Sequence, residues 1–333
     1  MRTRYTRLLV WLSALVVALF ILSLAIGPAA LGPITGLKGL FNDGHTAAAV
    51  IIMRDIRLPR ALLGLLVGAS LGLSGAALQG FLRNPLAEPG IIGVSSFASL
   101  GAVVVFYTGL AGSTEWAVPG GALFGALLAV LILLLIAAGN TTTLTLILAG
   151  VALASLASAL TTLALNLSPN PFATYEIIFW LFGSLKDHSM AQVWVSLPIT
   201  LLGWLLIVRT GPALDALSFG EEAAVGLGVN LARARLLIVA GVALCVGAGT
   251  AITGAIGFVG LVVPHLLRPL TDGMPRRLLL PSALGGAALL LVADIGARVV
   301  IPTRELNVGV LTALIGAPFF IYLVIRSRTG TNL

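Results

Sequence analysis

The fold class this sequence predicts is an all-α polytopic membrane protein, and three observations predict it. Of 333 residues, 59% are hydrophobic and only 9% charged, with a mean hydropathy of +1.10. Soluble domains carry roughly 25% charged residues. The apolar residues gather in about ten runs of a length suited to crossing ~30 Å of hydrocarbon as helices. Charged residues, Pro and Gly collect between those runs, and none of the connections is polar enough for a separate soluble domain. Residues 1–333 therefore read as one transmembrane domain. The net charge of +7 would point to nucleic acid in a soluble chain. Here the arginines sit at the ends of apolar runs, where they set topology, which argues against nucleic-acid binding.

The first run, 8–26, follows Arg2, Arg4 and Arg7 and stops at Gly27-Pro28. It exceeds the ~7–15 residues of a secretory apolar region, so it reads as a retained span. The next runs are 58–81, 90–110, 117–138, 144–166 and 190–208, each bounded by charge, Pro or Gly. They are followed by 232–252, 258–270, 277–300 and 307–325. The run at 258–270 is too short to cross as a helix and is expected to be a half-membrane element. With the N-terminus inside, 12 basic residues fall on the inner side and seven on the outer, which favours that orientation. Both termini, and the polar insert 211–230 between the sixth and seventh runs, are then cytoplasmic.

A shift of 179 residues superposes Val67, Gly68, Ala69, Ser74, Gly75, Ala76 and Pro85 on Val246, Gly247, Ala248, Thr253, Gly254, Ala255 and Pro264. Five spans separate the copies, an odd number, so the expected relation is an inverted repeat of spans 2–5 with spans 7–10. The chain then divides into 1–57 (first span and outer loop), 58–166 (first repeat), the insert 211–230, and 232–326 (second repeat). Gly64, Gly68 and Gly72 recur at spacing four with Gly75 nearby, a pattern that lets helix backbones approach closely.

The sequence carries few motifs for chemistry. Lys38 and Lys186 are the only lysines and neither belongs to a phosphate-binding loop, so ATP is not bound by this chain in that way. No metal or carboxylate cluster is spaced for catalysis, and His45, His188 and His265 are scattered. His265 reads as a structural hydrogen-bonding residue. Cys245 is the only cysteine, which rules out an intrachain disulfide. Gly68-Ala69-Ser70-Leu71-Gly72 and Gly72-Leu73-Ser74-Gly75 match serine-hydrolase patterns in form, but a glycine-rich span supplies no nucleophile elbow. An intramembrane serine protease using Ser74 is the weakest alternative. A proton-coupled secondary transporter is the stronger one, with only Asp294 and Glu88 to serve as carboxylates. Asp294 and Arg298, at spacing four, read more simply as a local ion pair.

The remaining segments carry a resemblance. Arg57-Leu58-Pro59-Arg60, Leu66-Val67-Gly68-Ala69, Gln79, Asn84-Pro85-Leu86-Ala87-Glu88-Pro89-Gly90 and Gly93-Val94-Ser95 resemble the FecCD and BtuC-like permease family of type II ATP-binding-cassette (ABC) importers for vitamin B12, haem and ferric siderophores. Thr253 to His265, Leu291 to Asp294, Glu305-Leu306, Gly309 to Thr312 and Gly316 to Phe319 extend the resemblance over essentially the whole chain. It implies a homodimer of ten-helix subunits in the lipid of a bacterial inner membrane, with the translocation path between them. Two ATPase subunits would bind ATP and magnesium below, and a periplasmic binding protein would dock above. This chain would carry no cofactor, no bound metal and no catalytic residue.

The resemblance also assigns sites. The insert matches coupling helices that dock into the ATPase, with Ser218, Phe219, Gly220, Glu221, Glu222, Ala223, Ala224 and Gly228 at the contact. Asn84 and Leu86, with Thr143 and Leu144, match a cytoplasmic gate; Leu144 is bulkier than the small polar residue of some members. A turn at Asn84-Pro85 is compatible with that role. Arg57, Arg60 and Arg298 match positions that receive carboxylates from the binding protein, a task the planar guanidinium suits. Helix-end anchoring is the competing account of these three arginines. The cargo is a bulky metal chelate: ferric siderophore, haem or cobalamin.

Overall fold

The computed structural model describes residues 2–27, 36, 39–40, 47–137, 143–168, 170–300 and 306–328. Within these, each of the ten apolar runs contains a helix. The order is α1 (Arg2–Ala25), α2 (Leu58–Phe81), α3 (Val94–Tyr107), α4 (Ala117–Ala137), α5 (Thr143–Asn166), α6 (Pro171–Leu181) and α7 (Met190–Arg209). Then follow α8 (Gly211–Leu217), α9 (Glu221–Gly226), α10 (Leu231–Thr253), α11 (Val259–Leu267), α12 (Pro275–Val299) and α13 (Val308–Arg328). Helices α1, α2, α4, α5, α7, α10 and α12 are long and apolar enough to cross a bilayer; α3, α11 and α13 are shorter apolar helices.

Three features depart from the sequence reading. The run at 90–110 is not a full span: Pro89–Ile92 forms a 3-10 turn, Gly93 breaks it at φ 78°, and α3 has only 14 residues, ~21 Å of rise. Helix α2 does not begin abruptly at residue 58. A short helix (Ala47–Ile51) and a π-helical turn (Ile52–Arg57) run into it, so the turn carries Arg57 to its start. Helix α6 fills a stretch to which no span was assigned. Asn170 caps it, its Oδ1 accepting from Phe172 N at 3.0 Å, and Pro171 sits in the first turn, where no N–H is needed. By contrast α11 is the expected half-membrane element: nine residues, ~14 Å, continued by a 3-10 turn over Arg268–Thr271.

Burial separates the centre from the periphery. Most of α2 and α10 is enclosed, whereas α1 and α5 are largely exposed. Outward-facing Trp11, Phe124 and Leu135 suit contact with lipid. Helix α2 lies against α12, α11, α10 and α7; α10 lies against α4, α3, α2 and α7. Each central helix thus packs mainly on the half of the chain to which it does not belong. The glycines of α2 make this possible. A Cβ on Gly68 or Gly72 would collide with the carbonyl oxygens of Gly286 and Ser282 on α12, and one on Gly75 with that of Gly260 on α11. Only hydrogen fits there, so these backbones meet directly.

Candidate functional site

The polar insert begins one residue after α7 ends. Pro212 lies in the first turn of α8, and Asp215 Oδ1 accepts from the Arg276 backbone N–H at 2.9 Å, fixing the insert to the first turn of α12. Gly220 (φ 111°) turns the chain into α9, and Gly228 (φ 85°) turns it out again; both are backbone states that side chains rarely adopt. Glu221 and Glu222 occupy the first turn of α9, where negative charge complements the helix dipole. Asn230 Oδ1 accepts from Arg233 N at 2.9 Å and so caps α10. Of the contact residues expected here, Ala224 is wholly buried and holds α9 down. Phe219 is 76% exposed, and Val225 and Leu227 are exposed beside it. Ser218 and Ala223 are also exposed. The exposed surface of the insert thus mixes apolar Phe219, Val225 and Leu227 with polar Ser218 and Glu222.

The α2–α3 connection, which carries Asn84 and Leu86, lies beside the start of α5, which carries Leu144. Leu82, Glu88 and Ile92, from the connection between α2 and α3, share a small apolar cleft with Leu146 and Ile147 of α5. Asn84 Oδ1 accepts from Leu86 N at 2.9 Å, and Asn84 O accepts from Ala87 N at 3.1 Å, so a turn is present there. Asn84 is exposed, Leu86 half-exposed and Leu144 exposed. The Thr143 side chain lies outside the described residues. So do Lys38, His45, Arg304 and Glu305.

At the opposite end of the bundle the three arginines come together, and all three are buried. Asp294, fully enclosed on α12, accepts from Arg60 Nε at 2.8 Å and from Arg298 Nη2 at 2.7 Å. Arg298 also donates to Ser23 O, Ser23 Oγ and Ile26 O at 2.6–2.9 Å. Arg57 Nη1 donates to Leu24 O and Ala25 O at 2.8 and 2.9 Å. The last turn of α1 would otherwise leave its carbonyls without partners; two arginines from other helices satisfy them and neutralise the negative end of its dipole. The Asp294–Arg298 pair is the local one expected from spacing. Arg60, 234 residues away in sequence, is the partner that spacing does not reveal.

Other residues take structural places. Ser74 is fully buried and lies against the Cys245 thiol, and His265 packs edge-on against Phe319 with ring centroids 5.9 Å apart. Glu88 Oε1 accepts from the Phe258 backbone N–H at 2.5 Å. Burial pushes the Glu88 carboxyl above the ordinary carboxylate range, against the opposing pull of that N–H. Both carboxylates available for a proton path are therefore engaged. A cavity of about 560 Å³ opens between Leu181, Phe182, the α10–α11 turn and one face of α13. Its lining of Ala, Gly, Val, Leu, Phe and Pro offers no metal ligand, and no His, Cys, Asp and Glu grouping among the described residues could hold one.

The profile of the FecCD transport family matches residues 15–326. The chain is 40% identical over 328 residues to the vitamin B12 import system permease protein BtuC of Salmonella typhimurium, covering 97% of this chain and 96% of that one. BtuC of Salmonella typhi is equally similar. A solved inward-facing structure of a metal-chelate-type ABC transporter superposes with a TM-score of 0.85 at 32% identity, covering 96% and 99% of the two chains. PsaBC from Streptococcus pneumoniae, solved with a Fab, superposes at 0.56 with 17% identity over 87% and 94%, a likeness of fold alone. The family match and the shared fold define the membrane-spanning permease subunit of an ABC importer, which is not itself an enzyme. The chain belongs to the FecCD transport family.

Proposed function

We propose that two copies of this chain form a path through a bacterial inner membrane for a bulky metal chelate. Ferric siderophore, haem and cobalamin are the candidate cargoes, and the 40% identity to a vitamin B12 permease supports cobalamin among them. The observation that carries the coupling half of this reading is the anchored insert. Phe219, Val225 and Leu227 present apolar surface on a polar element that Asp215 ties to α12. A push on this element passes directly to a membrane-spanning helix. An ATPase subunit, one per copy, docks on Ser218 to Gly228 and supplies ATP and magnesium. The insert and both termini then face the cytoplasm, as the distribution of basic residues favours.

Residues 58–166 and 232–326 form an inverted repeat. The exchanged packing of α2 and α10 supports this, since a two-fold relation swaps partners in that manner. Asn84, Leu86, Thr143 and Leu144 form the inner gate, supported by the adjacency of their segments. On the outer side a periplasmic binding protein docks near Arg57, Arg60 and Arg298. Its carboxylates exchange for the α1 carbonyls that Arg57 and Arg298 now hold. Because the same guanidiniums anchor α1, charge reversal at Arg57 or Arg298 tests docking only beside a control of thermal stability.

Co-purification tests the coupling assignment. Glu221→Lys and Gly228→Pro are expected to lose the ATPase while the permease still inserts in the membrane. Normal assembly of both variants would refute it.

A further inference from the structure

Phe258 has a backbone that its residue type disfavours. It precedes α11 at φ 66° and ψ −23°, a left-handed state uncommon for a bulky aromatic residue. Two sets of contacts hold it there. Its carbonyl accepts from Leu261 N and Val262 N at 3.1 and 2.9 Å, which starts the helix. Its own N–H is held by the Glu88 carboxylate at 2.5 Å, across 170 residues of sequence. The ring lies against α13: a Cβ on Gly316 would collide with it, and Phe258 lines the large cavity with Ala313, Leu314 and Ala317. One end of this arrangement is thus a wall of that cavity. The other is the connection that carries Asn84 and Leu86.

We propose that Glu88 is a positioning residue for transport: its carboxylate fixes the left-handed backbone of Phe258 and thereby sets the ring that bounds the cavity beside α13. The pair ties the connection between α2 and α3 to the cavity wall, so movement of one moves the other. This rests on the transport reading for the identity of the cavity. The strap itself stands on geometry and is tested without transport.

The test uses the full-length chain in proteoliposomes, with Ala313→Cys, half-buried in the cavity lining, as a reporter and the buried native Cys245 as internal background. The readout is the labelling rate by a water-soluble maleimide. Glu88→Ala is expected to raise the rate about tenfold, the shift that loss of one hydrogen bond to a charged group produces, and Phe258→Ala, which keeps the N–H but removes the ring itself, is expected to raise it at least as much. Glu88→Gln, whose amide oxygen still accepts the N–H, is expected to label within about twofold of the parent. Phe258→Gly relieves the backbone and removes the ring, so adding Glu88→Ala to it is expected to change nothing further. Parental labelling in Glu88→Ala would overturn the proposal, as would a Gln variant as fast as the Ala variant or an additive double variant. Chelate uptake by the assembled importer, measured separately, reports on the transport reading. A strap that passes the labelling test while Glu88→Ala imports normally would remove its role in transport but not the contact.

Discussion

Replacing Asp294 with alanine perturbs the most enclosed charge cluster described at the arginine end of the bundle. Asp294 is fully buried, and its two partners' side chains are 7% and 2% exposed, so solvent screening gives little relief. The alanine variant keeps both guanidiniums and removes the anion between them. Breaking a buried pair in this way costs about 3–5 kcal/mol. Arg60→Leu leaves the Asp294–Arg298 pair intact and removes the Arg60–Asp294 bond, worth about 1.5–3 kcal/mol for a charged group. Arg298→Leu is intermediate or worse than Arg60→Leu, because it also strips Ser23 and Ile26 of their donor and loosens the end of α1. Thermal unfolding of detergent-purified protein, followed by tryptophan fluorescence, measures the order. The expected result is a fall in Tm on the order of 10 °C for Asp294→Ala. The fall for Arg60→Leu should be smaller by about half. Equal stability of Asp294→Ala and the parent, or a larger loss in Arg60→Leu, would refute the account of the triad.

Two further outcomes follow from local geometry. Gly72→Ala places a methyl against the Ser282 carbonyl at the α2–α12 contact and is expected to destabilise by about 1–3 kcal/mol, whereas Gly112→Ala meets nothing within 4 Å and is expected to be silent; parallel melting curves decide it. His188, outside the spans, donates from Nε2 to Ser184 O at 3.1 Å and meets the Gln192 side-chain amide at Nδ1 at 2.7 Å, and burial holds its pKa below the ordinary value of 6.5. Its neutral form is favoured in the folded protein, so this stabilisation is present above pH ~6.5 and declines as pH falls below it. His188→Gln is expected to flatten the fall in Tm between about pH 7 and 5; an unchanged slope would contradict the assignment.

Apolar patterning made the bundle legible, because a bilayer demands long apolar helices and little else supplies them. The same criterion hides what happens within a run. Residues 90–110 are apolar throughout, yet Gly93 and the 3-10 turn before it shorten α3. Helix α6 was missed because 11 residues bracketed by Pro and Gly read as connection, although Asn170-Pro171 was a usable start signal. Side-chain commitments were harder. The arginine motif at 57 and 60 showed that guanidiniums cluster at a helix start, but not that they turn inward to α1 and Asp294. Contacts across 234 residues, or 170 for Glu88 and Phe258, depend on packing between the two halves and leave no periodic trace. The insert was readable for a local reason: Gly220 and Gly228 are needed for turns that the sequence itself encloses.

Uptake by proteoliposomes tests the central claim most directly. The permease is reconstituted with its ATPase and binding protein, with labelled cobalamin and ferric siderophore offered in turn. The expected result is accumulation of one chelate that requires ATP and both partners and is lost in Gly228→Pro. Accumulation by the permease alone, driven by a proton gradient without ATPase, would contradict the account.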